Sequence, residues 1–80
     1  MSYFAYVLRS LKVKRRYIGM SENPDKRLLQ HNAGSTKSTK GYRPWELIYK
    51  EEFETLQEAR SREVFLKSGI GREFLDRLHL

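Results

Sequence analysis

The sequence predicts a mixed α/β fold of the α+β kind, with elements in the order β-β-α-β-α-α. Three observations carry that expectation. Two aromatic and branched segments near the start are joined by a connection short enough for a hairpin. Two later segments open with helix-start signals, one reading Asn-Pro-Asp and the other Thr-Leu-Gln-Glu. Between them lies a third strand-like stretch rich in aromatic and aliphatic residues.

Tyr3 to Leu8 is the first expected strand and Arg16 to Met20 the second, with the basic run Leu11-Lys12-Val13-Lys14-Arg15 between them. Alternation along a strand puts Phe4, Tyr6 and Leu8 on one face of the first, and Tyr17 and Gly19 on one face of the second. Gly19 has no side chain, so it leaves room there for another backbone, a helix or a substrate. Asn23 then reads as an N-cap, with Pro24 at the first helical position and Asp25 complementing the positive helix end. This helix is expected to run to Asn32 or Ala33 and to end at Gly34. Leu28, Leu29 and Ala33 are expected to face the sheet, while Arg27 and His31, spaced i and i+4, share one flank.

Gly34 to Gly41 reads as a polar basic loop too poor in apolar groups to pack. Its hydroxyls and two lysines suit phosphate contact, and equally suit a solvated loop. Pro44 to Phe53 is the third expected strand. Thr55-Leu56-Gln57-Glu58 forms a capping box, in which the Thr55 hydroxyl and the Glu58 carboxylate satisfy free amides. On the helix that follows, Leu56, Ala59, Glu63 and Leu66 recur at i, i+3, i+7 and i+10, placing a carboxylate inside the apolar stripe. Gly69 and Gly71 are expected to break the chain, and Arg72 to Leu80 to form a short terminal helix whose Phe74, Leu75 and Leu78 cover the core.

Eighty residues are expected to form a single domain spanning 1–80, with a small core, because folding at this size buries only about 60–65% of the chain's surface. There is no cysteine, so any metal must be held by oxygen or imidazole, and a reducing cytoplasm is compatible with the composition. No apolar run is long enough for a leader or a membrane span, so a soluble cytoplasmic protein without membrane partners is expected. Sixteen Lys and Arg against ten Asp and Glu give a net charge of +6, which favours a polyanionic partner. Neutralising roughly four phosphates would weaken binding by about two orders of magnitude between about 50 and 200 mM salt. Lys14, Arg15 and Arg16 beside the hairpin, and Lys37, Lys40 and Arg43 around the polar loop, are the candidate nucleic-acid contacts.

Chemistry concentrates on five positions. An ionised carboxylate buried alone is costly, so Glu63 is expected to pair with Arg27, Arg60 or Arg62, to be protonated, or to bind a cation. One carboxylate with waters and phosphate oxygens is a usual way of holding Mg²⁺. Tyr6 and Tyr17 fall on adjacent strands, and a phenol, with a pKa near 10, needs a neighbouring cation to act as a base at neutral pH. Taken singly, these tyrosines read as core aromatics, His31 as a surface histidine and Arg27 as a solvated helix charge. Together they supply a phenol, a guanidinium, an imidazole and a carboxylate, the groups of a metal-assisted phosphodiesterase.

These residues resemble a known family, the GIY-YIG nuclease domain. Ala5-Tyr6-Val7 is similar to a relaxed first motif that keeps its tyrosine, and Tyr17-Ile18-Gly19 is the second motif intact. Arg27 followed four residues later by His31 fits the family's helix pattern, and Arg62-Glu63 fits its acidic helix. Lys67-Ser68-Gly69 and Gly71-Arg72-Glu73-Phe74 look like the small stand-alone bacterial members. The resemblance covers essentially the whole chain. It implies a three-stranded antiparallel sheet flanked by helices and hydrolysis of a DNA phosphodiester with one divalent ion, Mg²⁺ or Mn²⁺, held by Glu63. By the same carry-over, Tyr6 is the general base for water, Tyr17 orients water or phosphate, Arg27 neutralises phosphoryl charge, and His31 hydrogen-bonds to phosphate or to Tyr6. Two departures stand out: Met20 takes a position where some relatives have a lysine, and no asparagine follows Asn32.

The resulting expectation is a DNA endonuclease or nickase of low sequence specificity, acting in repair or on structured DNA. Specificity would then come from substrate shape, a homodimer or a partner protein. A nucleic-acid-binding module that does not cut and a protein-interaction adaptor are the alternatives, and the sequence does not separate DNA from RNA.

Overall fold

Four consecutive residues of β1 (Tyr3–Ser10), Ala5 to Leu8, are buried, which a strand achieves only when both of its faces are covered. The computed structural model, which describes residues 1–80, shows the reason. β1 is the central strand of an antiparallel sheet of order β2-β1-β3, between β2 (Arg16–Ser21) and β3 (Trp45–Phe53). Ala5 and Val7 point to one face and pack against Leu66 and Leu75. Tyr6 and Leu8 point to the other and pack with Trp45, Leu28 and Tyr42. The pairing sets Tyr6 opposite Gly19 and Leu8 opposite Tyr17. Against β3 the register slips between Val7 and Leu8, whose partners are Tyr49 and Leu47, so Ile48 forms a bulge.

α1 (Pro24–Asn32) begins as expected, with the Asn23 side chain accepting the Lys26 N–H at 3.1 Å. It ends in a Schellman arrangement: Gly34 N–H donates to His31 O and Ser35 N–H to Gln30 O, with Gly34 in the left-handed region at φ 83°. The face it presents to the sheet differs from the expected one. Leu29 and Ala33 are exposed, and the inward stripe is Pro24, Arg27, Leu28 and His31. His31 is therefore fully buried rather than a surface histidine.

The polar loop also packs. Lys37–Lys40 forms a one-turn helix, α2, whose Thr39 is buried and whose Thr39 carbonyl accepts the Trp45 indole N–H at 3.0 Å. Asn32 fastens the end of α1 to the start of β3 by accepting Trp45 N–H at 2.7 Å and donating to Trp45 O at 3.0 Å.

α3 (Leu56–Lys67) starts at Thr55, whose hydroxyl oxygen accepts Glu58 N–H at 3.1 Å. The reciprocal half of the capping box is absent, because the Glu58 carboxylate accepts from the Thr55 hydroxyl instead. Leu56 is exposed, and the core side of the helix is Ala59 and Leu66. Gly69 and Gly71 do not interrupt the chain; they form the first turn of α4 (Gly69–Arg77). Ser68 joins the two helices by donating its N–H to Phe65 O and accepting Gly71 N–H on its hydroxyl. Gly71 is needed for close approach, since a Cβ there would stand 2.0 Å from Phe65 O. Leu75 and Phe74 cover the core as expected, whereas Leu78 is largely exposed and Leu80 packs in its place. Arg62 lies against the rings of Phe65 and Phe74 and pairs with Glu51 at 2.6 Å, tying α3 to β3. No helix is long and apolar enough to cross a membrane.

Gly71→Ala must push α4 away from the backbone of α3. A steric insertion of this kind costs about 2 kcal/mol, so thermal unfolding followed by circular dichroism should show a Tm lowered by roughly 8–16 °C.

Candidate active site

Tyr6 reaches the edge of the sheet because nothing stands in its way. Its ring crosses β2 over Gly19, where a Cβ would lie 2.6 Å from the Tyr6 hydroxyl oxygen. The phenol thus opens into a cleft of about 370 Å³ at the β2 edge, between α1 and α3. Tyr6, Tyr17, Arg27 and Glu63 all line this cleft, together with Met20 and Lys67. Four of the five positions singled out in the sequence therefore meet in one place. The fifth, His31, lies behind the cleft rather than in it.

His31 is held at both ring nitrogens. Its Nε2 is 3.3 Å from the Tyr6 hydroxyl and its Nδ1 is 2.8 Å from the Thr39 hydroxyl. Its burial leaves it no access to a phosphate in solution. Burial, and secondarily the Arg27 charge, lower the His31 pKa below its ordinary value, so the imidazole is neutral at neutral pH. The Tyr6 pKa moves the opposite way. Burial raises it most, the nearby Arg27 guanidinium opposes that rise, and the charges of Tyr17 and Glu63 add to it.

Arg27 is oriented by a hydrogen bond to the Gln30 side chain. Tyr17 packs against the His31 ring with centroids 4.7 Å apart. Glu63 has 15% of its side chain exposed and is flanked by Lys67 at 3.1 Å and Arg60 at 3.8 Å. Of the partners expected for it, Arg60 is present at long range and Arg62 is committed to Glu51. Lys67, one helical turn on, is the nearer cation. Thus Met20 brings a thioether to the cleft, and the cleft's positive charge comes from Arg27, Arg60 and Lys67.

The donor set limits what metal could bind here. No group of three or more His, Cys, Asp or Glu side chains gathers anywhere in the chain. That excludes an all-protein cage but fits a hard cation such as Mg²⁺, held by one carboxylate with water and substrate oxygens completing the shell.

The six basic candidates divide between two surfaces. Lys37, Lys40 and Arg43 line a cup beside α2, and Lys14, Arg15 and Arg16 line a groove between the hairpin and α4. Arg16 is already engaged by Asp76 at 2.6 Å and by the Leu80 carbonyl, and Arg15 stacks 4.3 Å over Tyr42. Sequence reasoning missed Thr39 and Lys67. A hydroxyl in a polar loop gives no signal of burial, whereas the i, i+4 spacing of Glu63 and Lys67 was readable.

A histidine whose folded pKa lies below its unfolded value of about 6.5 adds stability that is complete above that pH. This stability is lost as pH falls towards the folded value, because in that window the unfolded chain binds the extra proton. Urea unfolding should therefore show stability declining from about pH 7 to about pH 5, and His31→Gln should remove that decline while lowering the plateau.

Residues 2–72 match the GIY-YIG catalytic domain family. A UPF0213 protein of Clostridium perfringens is 40% identical over 65 residues, covering 80% of this chain and 69% of that one. The structure-specific endonuclease subunit SLX1 of Debaryomyces hansenii is 49% identical over 53 residues. That match covers 58% of this chain, which corresponds to only 15% of the yeast protein. The solution structure of a UPF0213 protein from Bacillus halodurans superposes with a TM-score of 0.58 at 28% identity, covering 98% of this chain and 85% of that one. With its three-stranded antiparallel sheet and helices on both faces, the chain belongs to the GIY-YIG family of endonuclease catalytic domains.

Proposed function

We propose that the chain is a divalent-metal-dependent endonuclease that hydrolyses DNA phosphodiester bonds with little sequence specificity, on nicked, branched or otherwise structured DNA. One observation carries this reading: two phenols, a guanidinium and a carboxylate from four different elements line the same solvent-open cleft. The similarity to a structure-specific endonuclease subunit supports structured DNA as the substrate, and supports a partner protein or a second copy as a source of specificity. Glu63 is the residue that would hold Mg²⁺ or Mn²⁺. A divalent ion there supplies Lewis-acid polarisation of the phosphoryl group and cancels the carboxylate charge that otherwise raises the Tyr6 pKa.

The remaining work falls to the chain's own side chains. Tyr6, as phenolate, takes a proton from the attacking water, and Arg27 favours that phenolate while neutralising charge that develops on the phosphoryl oxygens. Tyr17 orients water or phosphate at the mouth of the cleft. His31, neutral and buried, holds the Tyr6 hydroxyl from behind.

Supercoiled, nicked and branched DNA should be cut in the presence of Mg²⁺ or Mn²⁺ and left intact in EDTA. Glu63→Ala and Tyr6→Phe should each lower the rate by about 10²–10⁴. Glu63→Ala should leave thermal stability nearly unchanged, whereas Tyr6→Phe should also cost about 1–3 kcal/mol because it orphans His31 Nε2. Salt-sensitive DNA binding with no metal-dependent cutting would instead identify a binding module. Gly19→Ala tests the geometry separately: displacing the phenol should lower kcat by more than tenfold, roughly the loss expected when a reacting group shifts by about 1 Å.

A further inference from the structure

We propose that the cup formed by Lys12, Lys37, Lys40 and Arg43 is a second phosphate site, gripping a backbone phosphate of the nucleic acid other than the one in the cleft. The proposal rests on the reading above only for its claim that the ligand is a nucleic-acid strand.

The cup has a volume of about 640 Å³, and its lining includes these four cations with no carboxylate and no hydrophobic side chain. Five cations elsewhere are matched. Arg9, Arg16, Arg60, Arg62 and Lys67 each have a carboxylate oxygen within 4 Å, and none of the four cup residues does. Converging like charges repel, and a bound anion relieves that repulsion. The groove between the hairpin and α4 is a weaker candidate, because its Arg9 and Arg16 are already neutralised by Glu46 and Asp76.

The cup is also built rather than incidental. Arg43 is fixed from the backbone side, with Nε donating to Lys40 O at 2.8 Å and a terminal nitrogen 3.5 Å from Asn32 O. Gly34 leaves the space that this guanidinium occupies, since a Cβ there would stand 2.8 Å from it. Lys12 reaches across from the hairpin, its Nζ 3.4 Å from Gly41 O. Lys37 and Lys40, spaced i and i+3, share a side of α2. Such pre-positioning cuts the ordering cost of gripping an anion.

The cup and the cleft are linked through α1. His31, behind the cleft, and Asn32, in the wall of the cup, are consecutive residues. The longest dimension of the molecule is 31 Å, less than one turn of duplex, about 34 Å. Both sites therefore lie within the span of a single duplex turn.

The test has two arms. In the first, inorganic phosphate is titrated into ¹⁵N-labelled protein, with chloride at matched ionic strength as control. Amide resonances from Lys37 to Arg43 should shift saturably with phosphate alone, and the variant Lys12→Ala/Lys37→Ala/Lys40→Ala should lose that response. In the second, branched-DNA affinity is measured against salt without divalent metal. The slope of log K on log salt should fall by about 2–3 in the triple variant and stay unchanged in Lys50→Ala. Shifts equal with chloride, or an unchanged slope in the triple variant, overturn the proposal. A protein that passes both arms but never cuts would refute the cleavage reading alone, and one that cuts with an unchanged slope would refute the cup alone.

Discussion

The cleft exists because Tyr6 can lie across an edge strand. In an ordinary antiparallel pair, directly opposed side chains on one face meet and fill the space between them. Here the residue opposite Tyr6 is Gly19, so the ring occupies the place its partner's side chain would take and carries the hydroxyl to the β2 edge. That edge is where α3 passes on the far side of the sheet, bringing Glu63 and Lys67. A phenol that projects from one face and a carboxylate from a helix packed on the other thereby come to share one opening. Any side chain at position 19 would keep the two faces apart.

Behind the phenol, polar contacts add to the cluster of Leu8, Trp45 and Leu28 in holding the fold. Tyr6, His31 and Thr39 form one buried hydrogen-bonded chain, and Thr39 and Asn32 both fasten Trp45 at the start of β3. No buried side-chain nitrogen or oxygen is left without a partner. Each of these groups would cost about 1–3 kcal/mol if orphaned, so the short α2 is retained by the groups it satisfies.

That distinction decides how much of the molecule could be read from its sequence. Strands, caps and helix order follow local rules, and Asn23, Gly34 and Thr55 act as those rules demand. The inward face of α1 could not be read the same way. An apolar-in pattern selects Leu29, whereas the helix turns His31 inward because Tyr6 and Thr39 satisfy both of its ring nitrogens. The same cause hid α2, whose inward anchor is a threonine. Gly71 reads as a breaker, yet it marks a close helix crossing, and proximity in space leaves no trace in the residues beside it. The convergence of Tyr6, Tyr17, Arg27 and Glu63 was legible because it follows from motif order on a sheet of this topology. The division of the basic residues between two surfaces depends on where the hairpin folds back, which a count of charges does not contain.

The opposed shifts of Tyr6 and His31 constrain how a proton can leave the phenol. Both groups favour their neutral forms, the phenol because its pKa is raised and the imidazole because its pKa is lowered. Passing the proton to His31 would create an imidazolium that burial and Arg27 both disfavour. The Thr39 hydroxyl removes that difficulty, because a hydroxyl donates or accepts equally well. With the imidazole proton on Nε2, the Thr39 hydroxyl would donate to Nδ1 and Nε2–H to the Tyr6 oxygen, leaving the phenol proton directed to the cleft. On ionisation that proton would leave through the cleft, and the same two hydrogen bonds would hold the phenolate. The imidazole keeps one tautomer and never carries charge. Arg27, which opposes imidazolium and favours phenolate, then acts in one direction on both groups. A serine or threonine at position 39 is therefore the chemical counterpart of the tyrosine at position 6, and an alanine there would leave His31 with a single fixed hydrogen bond.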